Sequence, residues 1–151
     1  MTFRGTFEHA LDAKHRLTVP AKYREPLKGG VVLAYTPPEG EVDAVRSLSL
    51  WPAAAYESFA ESALANLNPI GPRAQVLRNM IYANAWDMEL DSANRLMVPA
   101  VAREYAGLVK DVVVTGAGQF LQIWDRASYA SYSASVFQRF PEIAASFDSA
   151  D

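Results

Sequence analysis

Cysteine is absent from this 151-residue chain, which excludes disulfides and thiolate metal sites. Histidine is scarce as well: His9 and His15 are the only two, too few for a metal centre, so neither a metal nor any other cofactor is expected. No apolar stretch approaches the ~20 residues that a membrane span requires. The opening MTFRGTFEHALD carries Arg4, Glu8 and Asp12 and has no apolar core of the kind a secretory leader needs, so a cytosolic chain with no membrane partner is expected. Glycine numbers eight, and the one tempting cluster, Gly116-Ala-Gly118, is a lone GxG that a hairpin turn explains better than a phosphate loop. A catalytic constellation is missing too. Asp12 and His15 form the nearest thing to an acid–base pair, but they fall in an exposed turn without a third member, and turn capping by the aspartate is the simpler account. Neither an enzyme nor a small-molecule substrate is expected.

What the chain does have is a duplication. Residues 11–25, LDAKHRLTVPAKYRE, return as residues 90–104, LDSANRLMVPAVARE. The correspondence continues with gaps: Val31-Val32-Leu33 matches Val112-Val113-Val114, and Leu48-Ser49-Leu50-Trp51 matches Leu121-Gln122-Ile123-Trp124 once an insertion around Tyr35–Val45 is removed. After each Trp, Tyr56, Phe59, Ala63 and Leu67 match Tyr129, Tyr132, Val136 and Phe140, spaced to share one helix face. Two copies are too few for a solenoid and point to an intrachain pseudo-dimer. The expected units are residues 1–67 and 85–141, joined by a helical segment at 68–84 and followed by a flexible tail at 142–151.

Each unit reads as strand, tight turn, strand, short helix, strand pair and long helix. Phe3, Gly5, Phe7 and His9 alternate with polar residues, as do Trp86, Met88 and Leu90, the pattern of half-buried strands. Asp12–Arg16 and Asp91–Arg95 then form hairpin tips in which His15 and Asn94 take the position that needs a positive φ. Pro20 and Pro99 open short helices about Ala21–Leu27 and Ala100–Ala106, closed by Gly29-Gly30 and Gly107. Longer helices are expected at Ala53–Asn66 and Arg126–Phe140, a linking helix near Arg73–Tyr82, and a loop at Pro37–Gly40. The fold class is therefore mainly β with helices, α+β.

Charge is uneven. The net charge is −3, yet residues 1–30 hold six basic residues against three acids, leaving −6 for the rest. Local basicity of this kind favours an anionic partner. Within each turn the Asp can hold the Arg bidentately and present its remaining donors outward. Asp12, Asp91 and Arg95 read as turn-structuring. Lys14, His15 and Arg16 of the first turn read as anion contacts, with Arg4 and Lys22 extending the surface, because the second turn offers Ala93 and Asn94 instead. Arg24 and Arg103, beside Glu25 and Glu104, read as helix salt-bridge residues. The three tryptophans and the aromatics of the long helices read as core or subunit interface rather than base-stacking platforms.

Together these motifs resemble the MraZ family of bacterial transcriptional regulators, relatives of the AbrB-type fold. The residues that carry the likeness are Phe3-Arg4-Gly5, Leu11–Glu25, Asp91–Arg95 and Arg103–Leu108. The resemblance implies two AbrB-like swapped-hairpin repeats forming one double-split β-barrel with peripheral helices. It also implies a ring-shaped homo-oligomer that binds double-stranded DNA at short direct repeats upstream of the division and cell-wall genes. That activity would be sequence-specific repression by a nucleoid-associated protein, the alternative being an AbrB-like antitoxin or protein-interaction module. Within the family turn, usually Asp-x-Lys-Gly-Arg, His15 stands in place of Gly.

Overall fold

In the computed structural model, residues 2–36 and 45–148 are described. The Pro37–Gly40 loop and residues 149–151 of the tail lie outside them. The first unit contributes β1 (Thr6–Ala10), β2 (Arg16–Thr18), a 3₁₀ turn (Ala21–Tyr23), α1 (Arg24–Leu27), β3 (Val31–Thr36), β4 (Ser47–Pro52) and α2 (Ala53–Leu64). After α3 (Pro72–Arg78) and a π-helical turn (Asn79–Ala83), the second unit repeats the order. It supplies β5 (Ala85–Met88), β6 (Arg95–Met97), α4 (Ala100–Ala106), β7 (Asp111–Gly116), β8 (Leu121–Asp125) and α5 (Arg126–Asp148). The molecule is thus α+β with antiparallel pairing throughout the described strands.

The hairpins expected from the sequence open. β1 and β2 do not pair with each other beyond the turn; β1 joins β7 of the other unit, β5 joins β3, and β2 joins β6. A six-stranded sheet of order β1-β7-β8-β4-β3-β5 therefore contains one strand exchanged from each unit, and the β2-β6 ribbon packs separately. Physical necessity lies behind the exchange. Leu11, Leu17 and Val19 fall in one buried cluster with Leu96, Val98, Val112 and Ile123 of the second unit, a burial neither unit achieves alone.

A pseudo-two-fold axis is legible in the register. Leu17 faces Leu96, its own counterpart, while Arg16 faces Met97 and Thr18 faces Arg95. On either side, Val19 N–H donates to Asn94 O at 2.9 Å and Val98 N–H to His15 O at 3.0 Å, reciprocal bonds of the kind an isologous contact generates. The same axis crosses the large sheet where Ser49 faces Gln122. Leu17 and Leu96 are 1% and 3% exposed, so the axis runs through the core.

Local chemistry closes the elements. Gly107 ends α4 in the left-handed region at φ 65°, as its position predicts. Gly116 admits no side chain, because a Cβ there would lie 2.4 Å from Arg4 N; the N-terminal segment crosses it to pair Phe3 with Gly118. Two helices depart from expectation. α3 gives way to a π turn at Asn79, before the expected end at Tyr82. α5 continues past Phe140, through Pro141, to Asp148, because a proline forfeits one backbone bond without preventing the next turn from forming.

Candidate nucleic-acid interface

Both Asp-x-x-x-Arg turns are built in the same way. Asp12 Oδ1 accepts the backbone N–H of Lys14 and of Arg16, each at 2.9 Å, and Oδ2 accepts Arg16 Nε–H at 2.6 Å. In the second turn Asp91 Oδ1 accepts from the amides of Ala93 and Arg95 at 2.9 Å, and Oδ2 from Arg95 Nε–H at 3.0 Å. His15 and Asn94 both sit at φ 60°, the left-handed position that lets the chain reverse. Their N–H groups donate to the Asp12 and Asp91 carbonyls at 2.9 Å.

The carboxylate grip differs from the sequence expectation of a bidentate pair. One oxygen is taken by two backbone amides, so only Nε of the arginine is held, and the two terminal amino groups of Arg16 are bonded to no described residue. The arginine is fixed at its root and free at its tip. The Arg16 backbone amide contributes most to holding the Asp12 carboxyl below its usual range; partial burial opposes this, while the Arg16 guanidinium and the Lys14 amide reinforce it. Asp91 is lowered likewise, chiefly by the Arg95 amide. Both aspartates are therefore anionic, and both turns locked, throughout the physiological range.

Period-two alternation decides which way the ribbon side chains point. Leu17 and Leu96 turn inward, which sends Arg16, Thr18, Arg95 and Met97 to the outer face. Arg16 and Arg95 side chains retain 28% and 32% exposure, so the two-fold axis presents two guanidinium groups on one ribbon. Lys14 is exposed beside them and His15 is half-buried. Sequence reasoning singled out Arg16 but cast Arg95 as scaffolding; the two occupy equivalent places and share the same hydrogen-bond pattern. Thr18 and Met97 share that outer face, a placement that their spacing about Leu17 and Leu96 implies.

Arg4 and Lys22 lie elsewhere. Arg4 precedes β1 at the end remote from the turn, about 17 Å along a five-residue strand. Its carbonyl accepts the Tyr23 hydroxyl, and Lys22 Nζ lies 5.8 Å from the Tyr23 ring centroid. They form a second basic pair around Tyr23, separate from the tips. Arg24 and Arg103 do not make the expected helix salt bridges. Their Nε–H groups donate to Val19 O at 3.0 Å and Val98 O at 3.2 Å, tying each short helix to its ribbon strand, while Glu25 pairs with Lys28 at 2.8 Å. The tryptophans follow the core reading: Trp51 and Trp124 are buried and Trp86 half-buried.

Among the described residues no group of His, Asp and Glu is disposed to hold a metal ion, and no helix is long and apolar enough to cross a membrane. A family model described as "MraZ protein, putative antitoxin-like" matches residues 2–76 and again residues 81–148, one match for each unit. The chain is 39% identical over 140 residues to a protein of Corynebacterium jeikeium named transcriptional regulator MraZ, covering 93% of this chain and 92% of that one. A protein of the same name from Corynebacterium urealyticum is 40% identical over 132 residues, 87% of each chain. Another from Nitrosomonas europaea is 35% identical over 130 residues, 84% of this chain and 83% of that one. With the duplicated motif matched twice and relatives aligned over nearly their whole lengths, the chain belongs to the MraZ family.

Proposed function

We propose that the protein is a sequence-specific DNA-binding transcriptional regulator, not an enzyme, whose β2-β6 ribbon and flanking turns meet the duplex. The observation that carries this reading is the arginine of each turn, held at Nε by an aspartate that simultaneously locks the turn backbone. A guanidinium fixed in that way keeps its terminal donors oriented for a phosphate or a guanine edge. Lys14 adds a phosphate contact and His15 a further donor from the first tip, with Arg4 and Lys22 as outlying basic residues. Arg16 is the principal contact, and Asp12, Asp91 and Arg95 set the shape of the turns. The name borne by the relatives, transcriptional regulator, supports this assignment.

In this reading the units 1–67 and 85–141, linked through 68–84, build a double-split, swapped-hairpin barrel of AbrB type. Several copies close into a ring, and the ring engages short direct repeats upstream of the division and cell-wall genes, repressing them from within the cytoplasm and nucleoid. One protomer offers few phosphate contacts. Adjacent repeats bound by adjacent protomers raise affinity through effective concentration, and the binding falls steeply with salt, each neutralised phosphate adding about 0.9 to the log–log slope. A gel-shift titration on fragments carrying spaced short repeats, with Arg16→Ala in parallel, tests the reading. Loss of binding in a variant that keeps its fold and mass is expected; unchanged affinity overturns it. The family description, antitoxin-like, favours a second reading as a protein-interaction module, which recovery of a stoichiometric protein partner with no retention on DNA would establish instead.

A further inference from the structure

The outer face of the β2-β6 ribbon is symmetric in its arginines and asymmetric beside them. Residues 17–19, Leu-Thr-Val, return as 96–98, Leu-Met-Val, so Thr18 and Met97 are counterparts. Register sets Arg16 opposite Met97 and Arg95 opposite Thr18, and side chains directly opposite in an antiparallel pair stand about 4.5–5.5 Å apart at Cβ. Each guanidinium therefore has a different neighbour: a thioether chain beside Arg16, a hydroxyl beside Arg95. Met97 is 60% exposed, whereas Thr18 is half-buried.

A single apolar residue on a surface is ordinary; the setting of this one is not. Val98 N–H donates to His15 O at 3.0 Å, which holds the end of β6 against the first turn. Lys14, Arg16 and Met97 consequently gather at one end of the ribbon, and Ala93, Arg95 and Thr18 at the other. A two-stranded ribbon fits the major groove of B-DNA, about 12 Å wide, where arginine reads guanine O6 and N7 and the thymine C5-methyl is the apolar group on a base edge. Along the phosphates a methionine would meet only charged oxygens, whereas on the groove floor it meets that methyl. Its three torsions and polarizable sulfur let it close over such a group without moving the backbone. Thr18 also carries a methyl, but its hydroxyl donates or accepts and so tolerates any base.

We propose that Met97 is a specificity-determining residue, packing on the C5-methyl of a thymine next to the base that Arg16 reads, and that the Thr18 end of the ribbon is permissive. The inference rests on the DNA-binding reading above and adds a polarity to it. A protomer that reads thymine at one end only seats on the duplex in one orientation, the arrangement that direct repeats require.

The test uses the full chain and, as probe, the duplex most enriched by the wild-type protein from a random-sequence library. That duplex is resynthesised with deoxyuridine in place of one thymine at a time, which removes the C5-methyl and leaves the base pair intact. At one thymine per repeat, on one strand, wild-type affinity should fall about fourfold, the burial of one methyl group. Met97→Thr should bind the unmodified duplex more weakly and be indifferent to deoxyuridine at that position, while Met97→Leu should keep the sensitivity. Circular dichroism and a mass measurement establish fold and assembly; if Met97→Thr does not fold, Met97→Ala takes its place. Enrichment of a sequence in which no thymine responds to the exchange, or equal sensitivity in folded Met97→Thr, overturns the proposal and leaves the DNA-binding reading standing. A loss in Met97→Thr that is uniform across sequences and accompanied by altered mass overturns it too, by placing Met97 between copies. No enrichment of any sequence by the wild type overturns the DNA-binding reading itself, and this proposal with it.

Discussion

Leu17 and Leu96 offer the sharpest test of the exchanged architecture, because each is the other's counterpart and each is the other's cross-strand partner. Both are essentially buried, at 1% and 3% exposure. Truncating a fully buried leucine to alanine removes its transfer free energy and leaves a cavity, together about 3 kcal/mol. For a chain of this length each single variant should melt roughly 6–12 °C lower, at about 2–4 °C per kcal/mol. The double variant separates this fold from one in which the units pack as independent bodies. If the leucines touch across the axis, their mutual contacts are counted in both single truncations, so Leu17→Ala/Leu96→Ala should cost about 1 kcal/mol less than the sum, within the range seen for residues in contact. Urea denaturation followed by tryptophan fluorescence, with unchanged m-values, measures all four corners of the cycle. Additivity to within about 0.3–0.5 kcal/mol would falsify the shared core at the axis, as would a Leu17→Ala effect on the scale of a surface change.

Lys14→Ala should reduce the log–log salt slope of DNA binding by about 0.9 for each engaged protomer, with similar loss on cognate and unrelated sequences; anisotropy titrations at several salt concentrations read this, and an unchanged slope removes Lys14 from the phosphate contacts. Thr115→Ala leaves the buried Trp124 N–H without its acceptor and should destabilise by about 1–3 kcal/mol, measured by chemical denaturation; a change below about 0.5 kcal/mol would mean that the bond contributes nothing net. The Asp12 carboxyl titrates below its ordinary 3.8. A depressed folded-state pKa means that the turn's stabilisation is complete above the unfolded-state value and is lost only as the pH falls through the lower folded value. The amide resonances of Lys14 and Arg16, which report the bonds to Asp12, should therefore show a midpoint below 3.8, and a midpoint at or above it contradicts the hydrogen-bonded carboxylate.

Sequence alone determined the local architecture. The repeat of Leu11–Glu25 as Leu90–Glu104, the alternation about Leu17 and Leu96, and the prolines and glycines that open and close short helices are statements about neighbours along the chain, and short-range sterics and hydrogen bonding enforce them. The turns were legible for the same reason, since Asp12 reaches the amides of Lys14 and Arg16 within its own loop. Tertiary structure decided partnership. Nothing in a period-two pattern says which strand a strand will join, and β1 pairs with β7 rather than β2 because the apolar faces of both units are buried only when the strands are exchanged. Only that exchange places Arg16 and Arg95 on one outward face. Likewise, a single Ala at position 34 carries no local signal; it matters because folding sets it where the other unit places Thr115, beside a tryptophan whose N–H then finds no acceptor among the described residues.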